Sequence, residues 1–104
     1  MTFRKVEGRF EVIEEGQVAG WLDFASESAE AGAPMVMDHT EVLPEFGGRG
    51  LAGGLARYAL EYARAEGWTV LPYCSFIRGY IVSHPEFHPL VPAGRRTEFG
   101  LPGE

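Results

Sequence analysis

The sequence carries a single cysteine, Cys74, among 104 residues. No internal disulfide can form, and a chain that relies on none fits a reducing compartment. Nor does it contain eighteen consecutive apolar residues, so no segment is long enough to cross a bilayer as a helix. The opening stretch Met1-Thr2-Phe3-Arg4-Lys5 lacks the apolar run of a secretory signal, and the protein is expected in the cytoplasm without a membrane partner. No repeat or second domain is visible. A length of 104 residues normally holds one domain, and 45% hydrophobic content with 12% aromatics supplies one modest core. Cysteine pairs are missing too, and although His84 and His88 are four apart, Pro85 and Pro89 break the helix that would align them, so no metal site is expected.

The net charge is −6 and unevenly placed. Residues 1–45 carry ten acids and three bases, whereas residues 46–104 carry five acids and six bases. An acidic front half disfavours nucleic acid. It suits a cationic partner such as an amine, or is ordinary solubilising charge.

What the chain does have is glycine in one informative place. His39-Thr40-Glu41-Val42-Leu43-Pro44-Glu45-Phe46-Gly47-Gly48-Arg49-Gly50-Leu51-Ala52 runs from a β-like segment through a glycine cluster into an amphipathic helix. Glycines let backbone approach a ligand closely, and the first turn of a helix aims unpaired N–H groups and a positive dipole end outward. A pyrophosphate fits such a place, and so does a turn with no ligand. A nucleoside triphosphate does not, because a P-loop needs Lys and then Ser or Thr where Leu51-Ala52 stands. The dinucleotide pattern G-x-G-x-x-G can be laid on residues 48–53, but the chain is too short for a Rossmann sheet with a substrate domain. No strand ending in a ribose-binding acid follows.

The elements on either side read clearly. Leu51, Leu55, Tyr58, Ala59 and Tyr62 form one apolar stripe, Arg57, Glu61, Arg64 and Glu66 face solvent, and Gly67 stops the helix. Phe10-Glu11-Val12-Ile13 and residues 18–24 flank Glu14-Glu15-Gly16 as a hairpin. A loop over residues 26–32 leads to a third strand, residues 35–42, in which Met35, Met37, His39 and Glu41 share a face. Trp68-Thr69-Val70-Leu71 is a buried strand parallel to the third, as the intervening helix requires. Phe76, Ile77, Tyr80 and Ile81 mark a second, short helix ended by His84-Pro85. The fold class is α/β (α+β), with a mixed, mainly antiparallel sheet. Residues 1–90 make the domain, and residues 91–104, rich in Pro and Gly without periodicity, a loose tail.

Taken in order, His39-Thr40-Glu41-Val42, Gly48-Arg49-Gly50-Leu51-Ala52, Pro72-Tyr73-Cys74-Ser75-Phe76, Tyr80-Ile81 and His84-Pro85-Glu86-Phe87 resemble the small single-domain branch of the GNAT N-acetyltransferase superfamily, over about residues 9–90. The resemblance implies a splayed parallel strand pair and acetyl-CoA as cofactor. It implies a pyrophosphate held by backbone N–H groups of Gly47, Gly48, Arg49, Gly50, Leu51 and Ala52. The pantetheine arm would pair near Glu41, Val42 and Leu43, with Ser75 and Phe76 beside it. One place departs from the pattern. Gly47 stands where the superfamily's phosphate loop usually begins with Gln or Arg, so a side-chain contact is lost and the backbone donors remain.

Acetyl transfer needs a deprotonated acceptor, a stabilised oxyanion and a proton for the leaving thiolate. Four residues are candidates. Tyr80 sits where many members of the superfamily keep a Tyr that protonates the thiolate, and its spacing fits a core contact equally well. Cys74 follows the fourth strand at the splay point, where its thiolate could take up the acetyl group before passing it on; a buried, inert thiol is the plainer reading. His39 and Glu41 could each serve as base, directly or through water. The acceptor is an amine, small-molecule or protein. Larger relatives enclose it with helices and strands absent here, and an open side suits a protein or peptide lysine, with Trp21, Phe24 and Phe87 as candidate specificity residues. A CoA or acyl-CoA sensor without turnover is the competing class.

Overall fold

A computed structural model of the chain describes residues 1–26 and 34–101. Strands β1 (Thr2–Val6), β2 (Arg9–Glu14), β3 (Gln17–Ser26) and β4 (Pro34–Val42) form an antiparallel meander. Helix α1 (Leu51–Glu66) then crosses over, and β5 (Thr69–Pro72) pairs in parallel with β4 before α2 (Ser75–Ser83), giving the sheet order β1-β2-β3-β4-β5. The expected mixed, mainly antiparallel sheet with one long and one short helix is what forms. Most of the loop assigned to residues 26–32 lies outside the described residues.

Each boundary has a local cause. Glu15 and Gly16, at φ 52 and 78, are both left-handed, and that pair of central residues makes the tight turn that a twisted hairpin favours. Gly67, at φ 77, closes α1: its own N–H bonds Arg64 O and the next N–H, of Trp68, returns to Ala63 O at 2.9 Å.

The core lies between the sheet and α1. Leu51, Leu55, Ala56, Ala59, Leu60 and Ala63 are buried along the helix, opposite Phe10, Val12 and Leu22 of the sheet. The buried stripe is rotated from the expected one. Tyr58 and Tyr62 are only half-buried at its margin, where both rings meet Phe10 edge-on at 5.9 and 5.4 Å.

Strand β1 is an element that the hydrophobic pattern hides. Its inward positions are Phe3 and Lys5, opposite Val12 and Phe10. Phe3 stacks on Tyr58 at 5.4 Å, while the Lys5 ammonium lies 5.6 Å from the Phe24 and Tyr62 ring centres. A cation over aromatic faces fills a place where alternation calls for an apolar residue.

The chain beyond residue 90, expected as a loose tail, carries two short 3-10 turns, Ala93–Arg95 and Thr97–Phe99. Val91, Phe99 and Leu101 are buried, Phe99 meets the Tyr73 ring at 5.3 Å, and Arg95 donates to the Tyr73 hydroxyl at 2.6 Å. Residues 102–104 lie outside the described part.

Candidate active site

The pairing of β4 with β5 ends at Met37 opposite Pro72, and Cys74 N–H donates to Met37 O at 2.9 Å. Beyond this point the two strands part, so β4 residues 38–42 border a cleft on the β5 side while they remain paired to β3 on the other.

A bulge decides which side chains enter that cleft. In the β3–β4 register Asp23 lies opposite His39 and Phe24 opposite Met37, so Asp38 is an extra residue. One extra residue reverses the alternation. Met35 and Met37 point to the core as expected, but His39 and Glu41 turn to the opposite face, and Thr40 and Val42 face inward in their place. The four-residue face expected from the sequence is therefore split.

The backbone alternates as well. Leu43 N–H donates to Ala19 O at 2.8 Å, so in a regular antiparallel ladder Glu41 faces β3 too, while Thr40 and Val42 turn their backbone groups toward the cleft. Of Glu41, Val42 and Leu43, only Val42 presents its backbone where a pantetheine arm would lie. Gly20 makes this close packing possible, since a Cβ there would stand 2.8 Å from Glu41 O and 3.0 Å from a Val42 methyl.

The glycine loop follows. A 3-10 turn, Pro44–Phe46, feeds Gly47, and Gly48 and Gly50 sit at φ 78 and 74 in the left-handed region. The first helical bond of α1 runs from Gly54 N–H to Gly50 O at 3.1 Å, which leaves the N–H groups of Leu51, Ala52 and Gly53 ahead of the ladder. No side chain caps this end and no acid occupies its first turn. An open cavity of about 390 Å³ lies against it, lined by Val42, Phe46, Gly47, Gly48, Gly50, Leu51, Ala52, Gly53 and Phe76. Arg49 is not part of the lining. Its guanidinium donates to Glu15 at 2.9 Å and lies 5.0 Å from the centre of the Phe46 ring, and the bond to Glu15 raises its pKa further above the ordinary arginine value.

The expected catalytic residues do not converge on one point. Cys74, half-buried at the start of α2, directs its thiol to Thr40 Oγ1 at 3.4 Å. Neighbouring Ser75 begins α2, and Phe76 reaches the cavity. His39 Nε2 and Glu41 Oε1 are 3.0 Å apart on the outer face, both exposed. Tyr80 looks elsewhere. Its ring stacks on His84 at 3.9 Å and meets Phe87 at 6.2 Å, and its hydroxyl lies beside the Arg57 guanidinium, which donates to Glu61 and Glu86 at 3.2 Å each. Six residues of helix, a rise of about 9 Å, separate Tyr80 from Cys74. Of the three suggested specificity residues, Phe87 is fully buried and Phe24 packs on Phe10 at 5.0 Å, so only Trp21 belongs to the outer face. Sequence reasoning missed Thr40; the signal that would have found it is the bulge at Asp38, which composition does not reveal.

A helix start with N–H groups ahead of its ladder thus opens, at a glycine loop, beside two diverging parallel strands. The sequence matches the family model described as GCN5-related N-acetyl-transferase over residues 9–90. The chain belongs to this family of acetyl-CoA-dependent N-acetyltransferases. A GCN5-like putative N-acetyltransferase from Staphylococcus aureus is similar over 88% of this chain and 87% of its own, with TM-score 0.65 and 20% identity. A ribosomal-protein-alanine N-acetyltransferase from Brucella melitensis biovar Abortus 2308 is similar over 61% of this chain, with TM-score 0.51 and 22% identity. This chain covers 46% of the Brucella protein, about half its length. At such identities the likeness is one of fold. None of the curated proteins matches the sequence.

The site fits the cofactor. Gly48 and Gly50 leave open space where any other residue would place a Cβ, three helix N–H groups face that space, and Val42, Phe46, Leu51 and Phe76 offer apolar walls. Among the described residues no three of His, Cys, Asp and Glu gather as a metal would require, and no helix is long and apolar enough to cross a membrane.

Proposed function

We propose that the protein moves the acetyl group of acetyl-CoA to an amine, with a protein or peptide lysine as the acceptor. The observation that carries this reading is the division of β4: Val42 lines the cavity and Thr40 meets Cys74, while His39 and Glu41 face the open side of the sheet. Donor and acceptor would thus approach from the two faces of β4 and meet in the gap where it parts from β5. When bound, acetyl-CoA supplies a thioester whose carbonyl carbon accepts a nucleophile.

The N–H groups of Leu51, Ala52 and Gly53 bind the pyrophosphate, and the cleft-facing backbone of Val42 and Thr40 orients the pantetheine arm. On the outer face the His39–Glu41 pair takes a proton from the incoming ammonium, beside Trp21, whose ring lies opposite Glu41 in the sheet. In the covalent variant Cys74 Sγ takes the acetyl group first: its bond to the carbonyl carbon forms as the bond to the CoA sulfur breaks, and the thiol proton leaves with CoA. A reducing cytoplasm keeps that thiol free. Tyr80, turned to Arg57, would need to swing away to deliver a proton.

That orientation of Tyr80 is also what favours the second reading, a CoA or acyl-CoA sensor. With the phenol engaged by Arg57 and the His39–Glu41 pair on the far face, the side of the cleft near Cys74 offers binding groups without a poised acid.

Incubation with acetyl-CoA and a panel of amines, lysine peptides and cell extract, followed by mass spectrometry, tests both. Acetylated acceptor with release of CoA supports the enzyme; saturable binding by calorimetry without consumption supports the sensor. Absence of CoA binding at millimolar concentration overturns the shared premise. In the covalent route, acetyl-CoA alone adds one acetyl group to Cys74, labile to hydroxylamine, and Cys74→Ala binds CoA without transferring acetyl. An active Cys74→Ala variant establishes direct transfer and loses only about 1–2 kcal/mol of stability.

A further inference from the structure

The cavity at the start of α1 is walled by glycines, an alanine and apolar side chains, and no charged group lines it. Arg49 stands in the chain between two of the lining glycines, Gly48 and Gly50, yet its guanidinium is engaged elsewhere. Nη1 donates to Glu15 at 2.9 Å and lies 3.7 Å from a Glu14 carboxylate oxygen, while the group covers the Phe46 ring at 5.0 Å. Phe46 is itself a wall, so the cation rests beside a cavity that it does not line. The topology causes this meeting: Leu43 N–H bonds Ala19 O near the start of β3, which sets the β2–β3 turn beside the chain leaving β4. Glu15 is unusual in that turn. Among the described residues it is the one besides glycines at a positive φ, 52, a strained conformation that glycine adopts freely.

We propose that the Glu14 and Glu15 carboxylates compete with a phosphate of CoA for the Arg49 guanidinium: the β2–β3 turn holds the cation in the free protein and yields it when CoA binds, and thereby lowers CoA affinity from outside the cavity. The inference rests on the reading of the glycine loop as the phosphate site. Three observations make the exchange favourable. Both carboxylates are met through Nη1 alone, whereas the guanidinium fork can engage two phosphate oxygens at once. The Arg49 and Glu15 side chains are 43% and 63% exposed, so water screens their pairing and solvates the carboxylate that is left behind. The chain carries a net charge of −6, a field that opposes an anionic cofactor unless a cation stands near its phosphates.

The test is calorimetric titration of the full chain with CoA at low ionic strength. Glu15→Gly removes the carboxylate with a residue that suits φ 52, and it should raise CoA affinity about threefold. Arg49→Ala should lower affinity on the order of tenfold, and Arg49→Lys, which keeps the charge without the fork, should recover part of the loss. The two effects are coupled. In the Arg49→Ala background Glu15→Gly should change affinity by less than about 1.5-fold, since no guanidinium is left to release. Glu66→Gln, which removes a negative charge at the far end of α1, should also stay within about 1.5-fold. If Arg49→Ala does not fold, Arg49→Gln takes its place in the cycle. Weaker CoA binding in Glu15→Gly would mean that the contact props the loop, and it overturns the proposal. An equal gain with and without Arg49 overturns it too, because it reads only the lost negative charge. CoA binding by wild type with no gain in Glu15→Gly sinks this inference alone, whereas no CoA binding by wild type sinks the cofactor site along with it.

Discussion

The two faces of the sheet are built on opposite plans. On the inner face Phe10, Val12 and Leu22 are fully buried under Leu55, Ala59 and Leu60 of α1. On the outer face the cross-strand rows Arg4, Glu11, Trp21, Glu41 and Val6, Arg9, Asp23, His39 carry charges and one indole. Arg4 donates to Glu11 at 2.8 Å and Arg9 to Asp23 at 3.1 Å, and the Arg9 guanidinium lies 5.0 Å from the Trp21 ring centre. An antiparallel sheet tolerates this division, because its outer face can stay polar while the inner one carries the core. Stability therefore belongs mainly to one face, and the polar face contributes little to the core. Strand β4 joins the two, giving Thr40 and Val42 to the inner face and His39 and Glu41 to the outer.

The sharpest way to break the comparison is to damage the inner face alone. Leu55→Ala removes a fully buried side chain from the middle of α1 and should cost about 2–5 kcal/mol, read by urea denaturation. A loss below 1 kcal/mol would mean that α1 does not carry the core.

The next test separates the cofactor cleft from the core that supports it. Gly50→Val is a poor probe, since Gly50 stands at φ 74, where a branched residue is strained whatever the space around it. Gly53 is better. It lies within α1 and lines the cavity, and a Cβ there would meet no atom within 4 Å. Gly53→Val should fold while weakening CoA binding on the order of a hundredfold, about 2.7 kcal/mol. Unchanged affinity in calorimetry would move the phosphate site away from the start of α1.

The asymmetry of the faces also explains what could be read without coordinates. Periodicity located α1, α2, the hairpin and the parallel pair, because a core-facing stripe leaves a plain pattern. The glycines marked the turn into α1 and the cavity beside it. Three features were illegible. The bulge at Asp38 inserts one residue without any compositional mark and exchanges Thr40 for His39 in the cleft. Strand β1 presents Lys5 at an inward position, where its fit depends on rings from Phe24 and Tyr62 that are distant in sequence. Val91, Phe99 and Leu101 are too widely spaced among Pro and Gly to show a period, although all three are buried.

On the outer face the expected effect on stability is small. Glu41→Gln and Trp21→Ala should each shift stability by no more than about 0.5–1 kcal/mol, since neither is fully buried. Acetyl transfer to a lysine peptide should fall in both while CoA affinity holds. An equal loss of CoA affinity would show that the two faces are not separate in function.

The smallest effect concerns the C-terminal turns, which belong to neither face. Glu98 accepts from Arg95 Nε at 2.6 Å and from Nη2 at 3.1 Å, and the same guanidinium reaches the Tyr73 hydroxyl. The hydrogen bond from Arg95 lowers the Glu98 pKa below the ordinary carboxylate value. A folded pKa below the unfolded one means that the contribution is fully present above the unfolded value of about 4.3 and is lost as pH falls through the lower, folded value. Both groups are exposed, so the effect should appear as local opening rather than global unfolding. Protection of the amides of Phe99, Gly100 and Leu101, taken relative to the intrinsic exchange rate at each pH, should fall on acidification below about pH 4, while protection in α1 holds. Glu98→Gln should remove most of this pH dependence. Exchange in the turns that follows α1 through the same acid range would show that the Arg95–Glu98 pair does not hold this segment separately.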